Sequence, residues 1–146
     1  MNFFDRYADR IIILAESGCW VWMGALDRKG YGRHGVPKER RTASAHRTAF
    51  EAACGEIPQG MGVCHRCDIP ACVNPDHLFA GTQKANATDM AKKGRHGRTK
   101  LTPPDVRDIR TLRRRGQSQR EVAQRYGVDK ATIAQIDKGL TWRHVV

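Results

Sequence analysis

Phe3, Phe4, Tyr7, Ala8, Ile11, Ile12 and Ala15 recur at intervals of three and four residues, which predicts an amphipathic helix over residues 2–16 with its apolar stripe turned to a core. Ser17-Gly18 ends it. Two short strands follow, Cys19-Trp20-Val21-Trp22-Met23 and Tyr31 to Val36, joined as a hairpin across the turn-rich Asp27-Arg28-Lys29-Gly30. Ser44 is placed to cap a helix running to about Cys54, with His46, Ala49, Phe50 and Ala53 on one face and Gly55 to close it. Cys54, among Ala and Phe, reads as a small buried hydrophobe. Pro58 and two glycines make residues 56–62 a loop, after which Val63 to His65 is extended. Residues 66–77 form a polar loop, Leu78-Phe79-Ala80 returns as a second strand, and Thr82 caps a helix carrying Asn86 and Met90. The local order is strand, strand, helix.

The periodicity then lapses. Residues 91–101, AKKGRHGRTKL, are basic and hold two glycines, the composition of a tether or of an arm lying along phosphates. Three short helices follow. Thr102 with Pro103 starts the first, which carries Val106, Ile109 and Leu112 and stops at Gly116. Ser118-Gln119-Arg120-Glu121 is a capping box for the second, bearing Val122, Ala123 and Tyr126. Gly127 supplies a turn, Asp129 caps the third helix with Ile133 and Ile136 inward, and Gly139 ends it. Two helices about a tight glycine turn form a helix-turn-helix; a three-helix protein-binding unit has the same pattern, but the net charge of +5 over residues 101–146 favours DNA. Lys130, Ala131, Thr132, Gln135 and Lys138 fall on the outer face of the last helix, where base and phosphate contacts would be made.

A chain of 146 residues suits one modest domain plus an appendage, small enough for a structural metal to matter as a staple. Its 26 Lys and Arg against 15 Asp and Glu give a net charge of +11, so the field favours a polyanion, nucleic acid first and an anionic membrane surface second. No apolar run approaches the roughly 20 residues of a membrane span. Ile11 to Ala15 is too short for a signal peptide and follows the acidic Asp5 and Asp9. Five cysteines, an odd number clustered with histidines, fit metal ligation in a reducing cytosol better than a disulfide framework. A cytoplasmic protein with no membrane partner is expected.

The chemistry concentrates between His65 and Asn86. Cys67, Cys72 and His77 offer sulfur and imidazole donors at loop-closing intervals, as a tetrahedral zinc site requires at about 2.0 to 2.3 Å per ligand. That leaves His65, a candidate general base, and Asn86, an oxygen donor. Cys64 and Cys19 are the candidates for a fourth zinc ligand; strand alternation turns Cys64 away from His65.

Together, Cys19-Trp20-x-Trp22, Gly30-Tyr31-Gly32-Arg33, Ala45-His46-Arg47, Cys64-His65-x-Cys67-Asp68, Cys72-Val73-Asn74-Pro75-x-His77-Leu78, Gly81-Thr82, Asn86 and Asp89-Met90 resemble the zinc-binding HNH endonucleases. These belong to the His-Me finger (ββα-metal) superfamily and are close to the His-Cys box homing endonucleases. The resemblance spans roughly residues 18–95, and the carboxy-terminal helices are similar to helix-turn-helix modules appended to phage and homing endonucleases. It implies an α+β fold: a His-Me finger core with structural zinc over residues 1–92, a basic linker over 93–101, and a small all-α helix-turn-helix domain over 102–146.

The implied activity is metal-dependent hydrolysis of a DNA phosphodiester bond to 5′-phosphate and 3′-hydroxyl ends. His65 falls on the general base, and Asn86 on the residue that binds a catalytic divalent cation, magnesium or another. Arg33, or else Arg47, is the candidate grip on the scissile phosphate. The family's upstream cysteine falls on Cys19, which would complete the zinc shell with Cys67, Cys72 and His77 and tie the amino-terminal hairpin to the zinc loop. Several HNH relatives carry an acidic metal ligand before the catalytic His; Cys64 stands there in this chain, which favours Asn86 as the main side-chain ligand. Double-stranded DNA would be met by Arg47, Lys92, Lys93 and Arg95, and by Lys130, Thr132, Gln135 and Lys138. The resemblance places the chain, as monomer or homodimer, in a phage or homing setting inside a bacterial host. The rival from another class is a zinc-stabilised DNA-binding regulator that does not cut, but a pure binder has no need of His65 together with Asn86. No aromatic platform for single-stranded RNA appears. His34, His46, His96 and His144 receive no role.

Overall fold

The opening segment divides where its periodicity predicts one helix. The structure, a computed structural model, describes residues 2–92 and 101–146. Asn2 caps α1 (Phe3–Tyr7) in a reciprocal capping box with Asp5, one 3-10 turn covers Ala8–Arg10, and the chain then straightens into β1 (Ile11–Ile13). β1 pairs antiparallel with β2 (Trp20–Trp22), Ile11 opposite Trp22 and Ile13 opposite Trp20. Three consecutive β-branched side chains suit a strand, and facing tryptophans give them cross-strand partners, so the strand wins over the helical spacing.

The predicted hairpin is also corrected. Its turn forms, with the Asp27 amide donating to the Tyr31 carbonyl at 2.9 Å and the Asp27 carboxylate accepting from the Lys29 amide at 2.8 Å. The two strands do not pair with each other, however. β3 (Arg33–Gly35) pairs with β4 (Thr42–Ser44), while residues 71–73 lie along β2, with the Trp22 amide 2.8 Å from the Ala71 carbonyl and the Val73 amide 2.8 Å from the Trp20 carbonyl. β1 and this loop occupy both edges of β2, so no edge is left for β3.

Directly after β4, α2 (Ala45–Cys54) buries Ala45, His46, Ala49 and Phe50 and closes at Gly55, φ 91°. Ala53 and Cys54 are exposed, because the last turn of α2 runs beyond the core; the burial expected of Cys54 is thereby corrected. β5 (Gly62–His65) and β6 (Leu78–Gly81) pair antiparallel with His65 opposite Leu78. α3 (Gln83–Lys92) follows, and the Thr82 hydroxyl accepts from the Ala85 amide at 3.1 Å as its cap. This is the strand-strand-helix unit that the sequence predicts.

α4 (Pro103–Arg114) and α5 (Gln119–Tyr126) form as their caps predict, with capping boxes at Thr102 and Ser118 and Gly127 in the left-handed region at φ 65°, while α6 (Lys130–Asp137) starts after Asp129 without a side-chain cap bond from it. One core surrounds Trp22 with Phe3, Ala49, Phe50, Val73 and Leu78. The other is shared between the two ends of the chain: Leu14, Cys19, Val21, Ile69 and Cys72 pack with Val106, Ile109, Val122, Tyr126 and Ile133. Leu101, which composition assigns to the linker, is 6 % exposed and belongs to this shared core. The architecture is mixed α+β, with three two-stranded sheets among the described residues and the last three helices docked against the first half. No helix among them is long and apolar enough to cross a membrane.

Candidate metal centre and active-site cleft

The loop between β5 and β6 folds back so that His77, on the 3-10 turn Pro75–His77, meets Cys67 and Cys72, while the β1–β2 turn delivers Cys19. Asn74 fastens this arrangement: its carboxamide donates to the Gly18 carbonyl at 2.8 Å and accepts from the Asp76 amide at 3.0 Å. The donor atoms of Cys19, Cys67, Cys72 and His77 all lie within 4.8 Å of one another, and His77 Nδ1 is 3.6 Å from both Cys19 Sγ and Cys72 Sγ. Metal–sulfur bonds of about 2.3 Å in a tetrahedron separate sulfurs by about 3.8 Å, so this Cys3His set fits zinc. Cys64 lies outside the cluster, and it is Cys19 that the fold brings to the other three. Hydrogen bonds exchanged among the three thiols shift each one both ways, and burial with mutual repulsion leaves Cys19, Cys67 and Cys72 pushed up to about 12. A bound cation is what allows such a group to ionise together.

His65 ends β5 and is 7 % exposed. Its Nε2 stands 3.0 Å from the Cys72 carbonyl. A carbonyl only accepts, so Nε2 carries the hydrogen and Nδ1 is the basic nitrogen of the neutral ring. Cys72 therefore offers its sulfur to the metal cluster and its carbonyl to His65. Burial pulls the His65 pKa down to about 4; the Cys72 bond opposes that shift and the charge of His77 adds to it.

His46 and Tyr31, neither given a role by sequence reasoning, complete the surroundings. The His46 ring centroid is 5.0 Å from that of His65 and 5.1 Å from that of Tyr31. The available signal was the place of His46 on the buried face of α2. Burial first, then repulsion from His65, Arg47 and Arg33, lowers the His46 pKa from 6.5 to about 3. The unfolded chain therefore binds a proton below about pH 6.5 that the folded chain refuses until about pH 3. Stability should fall as the pH drops through that window, and less steeply in His46→Gln; unfolding midpoints at pH 7 and pH 4.5 check this, and equal slopes would contradict it.

His65 and Asn86 line one cleft of about 510 Å³, together with Arg28, Lys29, Tyr31 and Cys64. Asn86 is half-buried one turn into α3, and among the described residues nothing engages its carboxamide. Arg28 and Lys29 give the rim positive charge; the sequence marks them only as turn residues. Arg33 is not part of the lining. Its guanidinium donates to Ser44 Oγ at 3.1 Å and to Thr42 Oγ1 at 2.7 Å within the β3–β4 hairpin, although its charge reaches His46. Arg47 is exposed on α2, and Lys92 is exposed at the end of α3. Lys93 and Arg95 lie outside the described residues. The cleft lining also takes in Ala123, Gln124, Gly127 and Val128, from the helix-turn-helix. Beyond it Lys130 and Gln135 are exposed on α6, Lys138 is exposed at its C-cap, and Thr132 is half-exposed.

The profile of HNH endonucleases matches residues 43–88, and that of a helix-turn-helix domain matches residues 98–135. Protein 2.8 of Escherichia phage T7 is 39 % identical over 140 residues, 95 % of this chain and 94 % of that relative. The chain belongs to the HNH endonuclease family. Protein 7.7 of the same phage is 39 % identical over 132 residues, covering 87 % of this chain and 98 % of its own length. No solved structure matches. The HNH match takes in His65, Cys67, Cys72, His77 and Asn86 but not Cys19, which joins this HNH protein's metal cluster through the fold alone.

Proposed function

We propose that this HNH protein is a metal-dependent endonuclease that hydrolyses a phosphodiester bond of double-stranded DNA, with structural zinc on Cys19, Cys67, Cys72 and His77. One observation carries the reading: His65, with Nε2 committed to the Cys72 carbonyl and Nδ1 left as its basic nitrogen, lines the same cleft as Asn86. His65 takes the proton of a water molecule as its oxygen attacks phosphorus. The phosphate's negative charge opposes the depressed basicity of His65, because it stabilises the imidazolium that forms. Asn86 offers a hard carboxamide oxygen to a divalent cation from the lining of the same cleft. When bound, magnesium or a similar ion stabilises negative charge on the departing 3′ oxygen. Arg28 and Lys29 meet neighbouring phosphates at the rim. Arg33, held by Thr42 and Ser44 outside the cleft lining, adds positive charge beside the site without reaching the scissile phosphate there, and the cations of Arg47, Lys92, Lys93 and Arg95 serve backbone phosphates. Lys130, Thr132, Gln135 and Lys138 on α6 read the target. The relatives from an Escherichia phage make a bacterial cell the natural setting.

The ends of the product test the placement of the ion. Nicks made by the protein should be sealed by DNA ligase without prior end repair, as 5′-phosphate and 3′-hydroxyl ends allow. Asn86→Ala should raise the magnesium concentration needed for cleavage on the order of 10-fold or more. Ends that must be phosphorylated before ligation, or an unchanged magnesium requirement, would contradict the assignment.

A further inference from the structure

The helix-turn-helix does more than follow the HNH core; it is keyed into it beside the cleft. The Gln124 side chain donates to the Asp27 carbonyl at 2.7 Å. Arg125, 5 % exposed, donates to the carbonyls of Trp22 at 3.2 Å and Met23 at 3.3 Å. Asp108 on α4 accepts from the amide and hydroxyl of Ser17. Gly30, at φ 87°, lies so close that a Cβ there would stand 2.0 Å from the Gln124 carbonyl oxygen, an approach only glycine permits. These contacts hold α5 and its turn in the lining of the cleft that also contains His65 and Asn86, with α6 beginning two residues after Val128.

We propose that recognition and cutting share one rigid frame: α6 reads DNA at a fixed distance from the cleft, set by this docking and not by residues 93–100. Two extended residues span about 7 Å and eight helical ones about 12 Å. At about 3.4 Å per base pair, the bases read by α6 then fall within roughly one turn of the duplex from the cut phosphate. The inference rests on the DNA-cutting reading above, and its test has a binding arm that separates the two.

The test compares the wild-type chain with a variant carrying about ten Gly and Ser residues inserted between His96 and Gly97. Such a segment by itself has a mean end-to-end reach of roughly 18 Å, the length of about five base pairs. Both proteins are footprinted on a duplex selected by the wild type from a randomised pool, with calcium replacing magnesium so that binding is read without cutting; cut positions are then mapped in magnesium. One continuous protected segment of equal length in both proteins, with the cut at the same base pair, is the expected result. A footprint that splits or lengthens in the insertion variant overturns the proposal, as does a wild type that selects no sequence. Equal footprints with no cleavage by either protein support the rigid frame and count against the nuclease reading. Gly30→Ala is the converse variant: with its zinc content retained, it should broaden the footprint and spread the cuts. An unchanged pattern in folded, zinc-loaded Gly30→Ala contradicts the role given to the docking.

Discussion

Stripping zinc from the protein is expected to unfold the HNH core and release the helix-turn-helix from it in the same transition. Structural zinc sites of this donor type contribute about 10–16 kcal/mol of apparent binding free energy at neutral pH. A whole domain is stable by only about 5–15 kcal/mol, so losing the metal is sufficient to lose the fold. Cys19 and Cys72 are themselves buried in the core shared with α4, α5 and α6, so the loss does not stay local. Thermal unfolding followed by circular dichroism, with zinc content measured on the same samples, should show the cooperative transition disappear after chelation and return with added zinc. Cys19→Ser should behave as the chelated protein and Cys64→Ser should keep its full zinc content. A transition insensitive to chelation would contradict the structural role, and the reverse behaviour of the two serine variants would move the fourth ligand to Cys64.

The second large effect belongs to His65→Ala. Removing a positioned general base costs about 10²- to 10⁴-fold in rate, and cleavage should fall by that amount. DNA affinity should stay nearly constant, because His65 is buried and DNA affinity comes chiefly from Lys and Arg contacts to phosphates. The substitution leaves the Cys72 carbonyl without its imidazole partner, at about 1–3 kcal/mol if no water replaces it. Single-turnover cleavage and a salt-matched binding titration on one protein preparation check both halves. A rate within a few-fold of wild type would remove His65 from the chemistry.

What the chain disclosed by itself was local. Thr102 with Pro103, Ser118 with Glu121, and Gly127 write helix boundaries of the carboxy-terminal unit into neighbouring residues, and α4 and α5 begin and end close to where those residues place them. The ββα unit was legible for the same reason, since Val63 to His65, Leu78 to Ala80 and the Thr82 cap each act within a few positions. Features that depend on distant partners were not. Ile11–Ile13 has helical spacing until β2 lies beside it, and β2 gives no sign that residues 71–73 take its other edge. Spacing left Cys19 no better than Cys64; it took the family resemblance, and then the packing of the β1–β2 turn on the zinc loop, to separate them. Arg125 looks like an ordinary helix-surface cation, but it is buried against backbone carbonyls about 100 residues earlier, beyond the reach of any periodicity.

The central claim is that a buried, carbonyl-fixed imidazole sharing a cleft with Asn86 makes this HNH protein a cutting enzyme. Conversion of supercoiled plasmid by the zinc-loaded protein reads it most directly, with magnesium present or omitted and His65→Ala run in parallel at equal bound DNA. Nicked or linear plasmid should appear with wild type in magnesium, and not without the metal or with His65→Ala. Plasmid that is bound yet stays supercoiled with wild-type protein in magnesium would contradict the claim and leave a zinc-stabilised DNA-binding protein that does not cut.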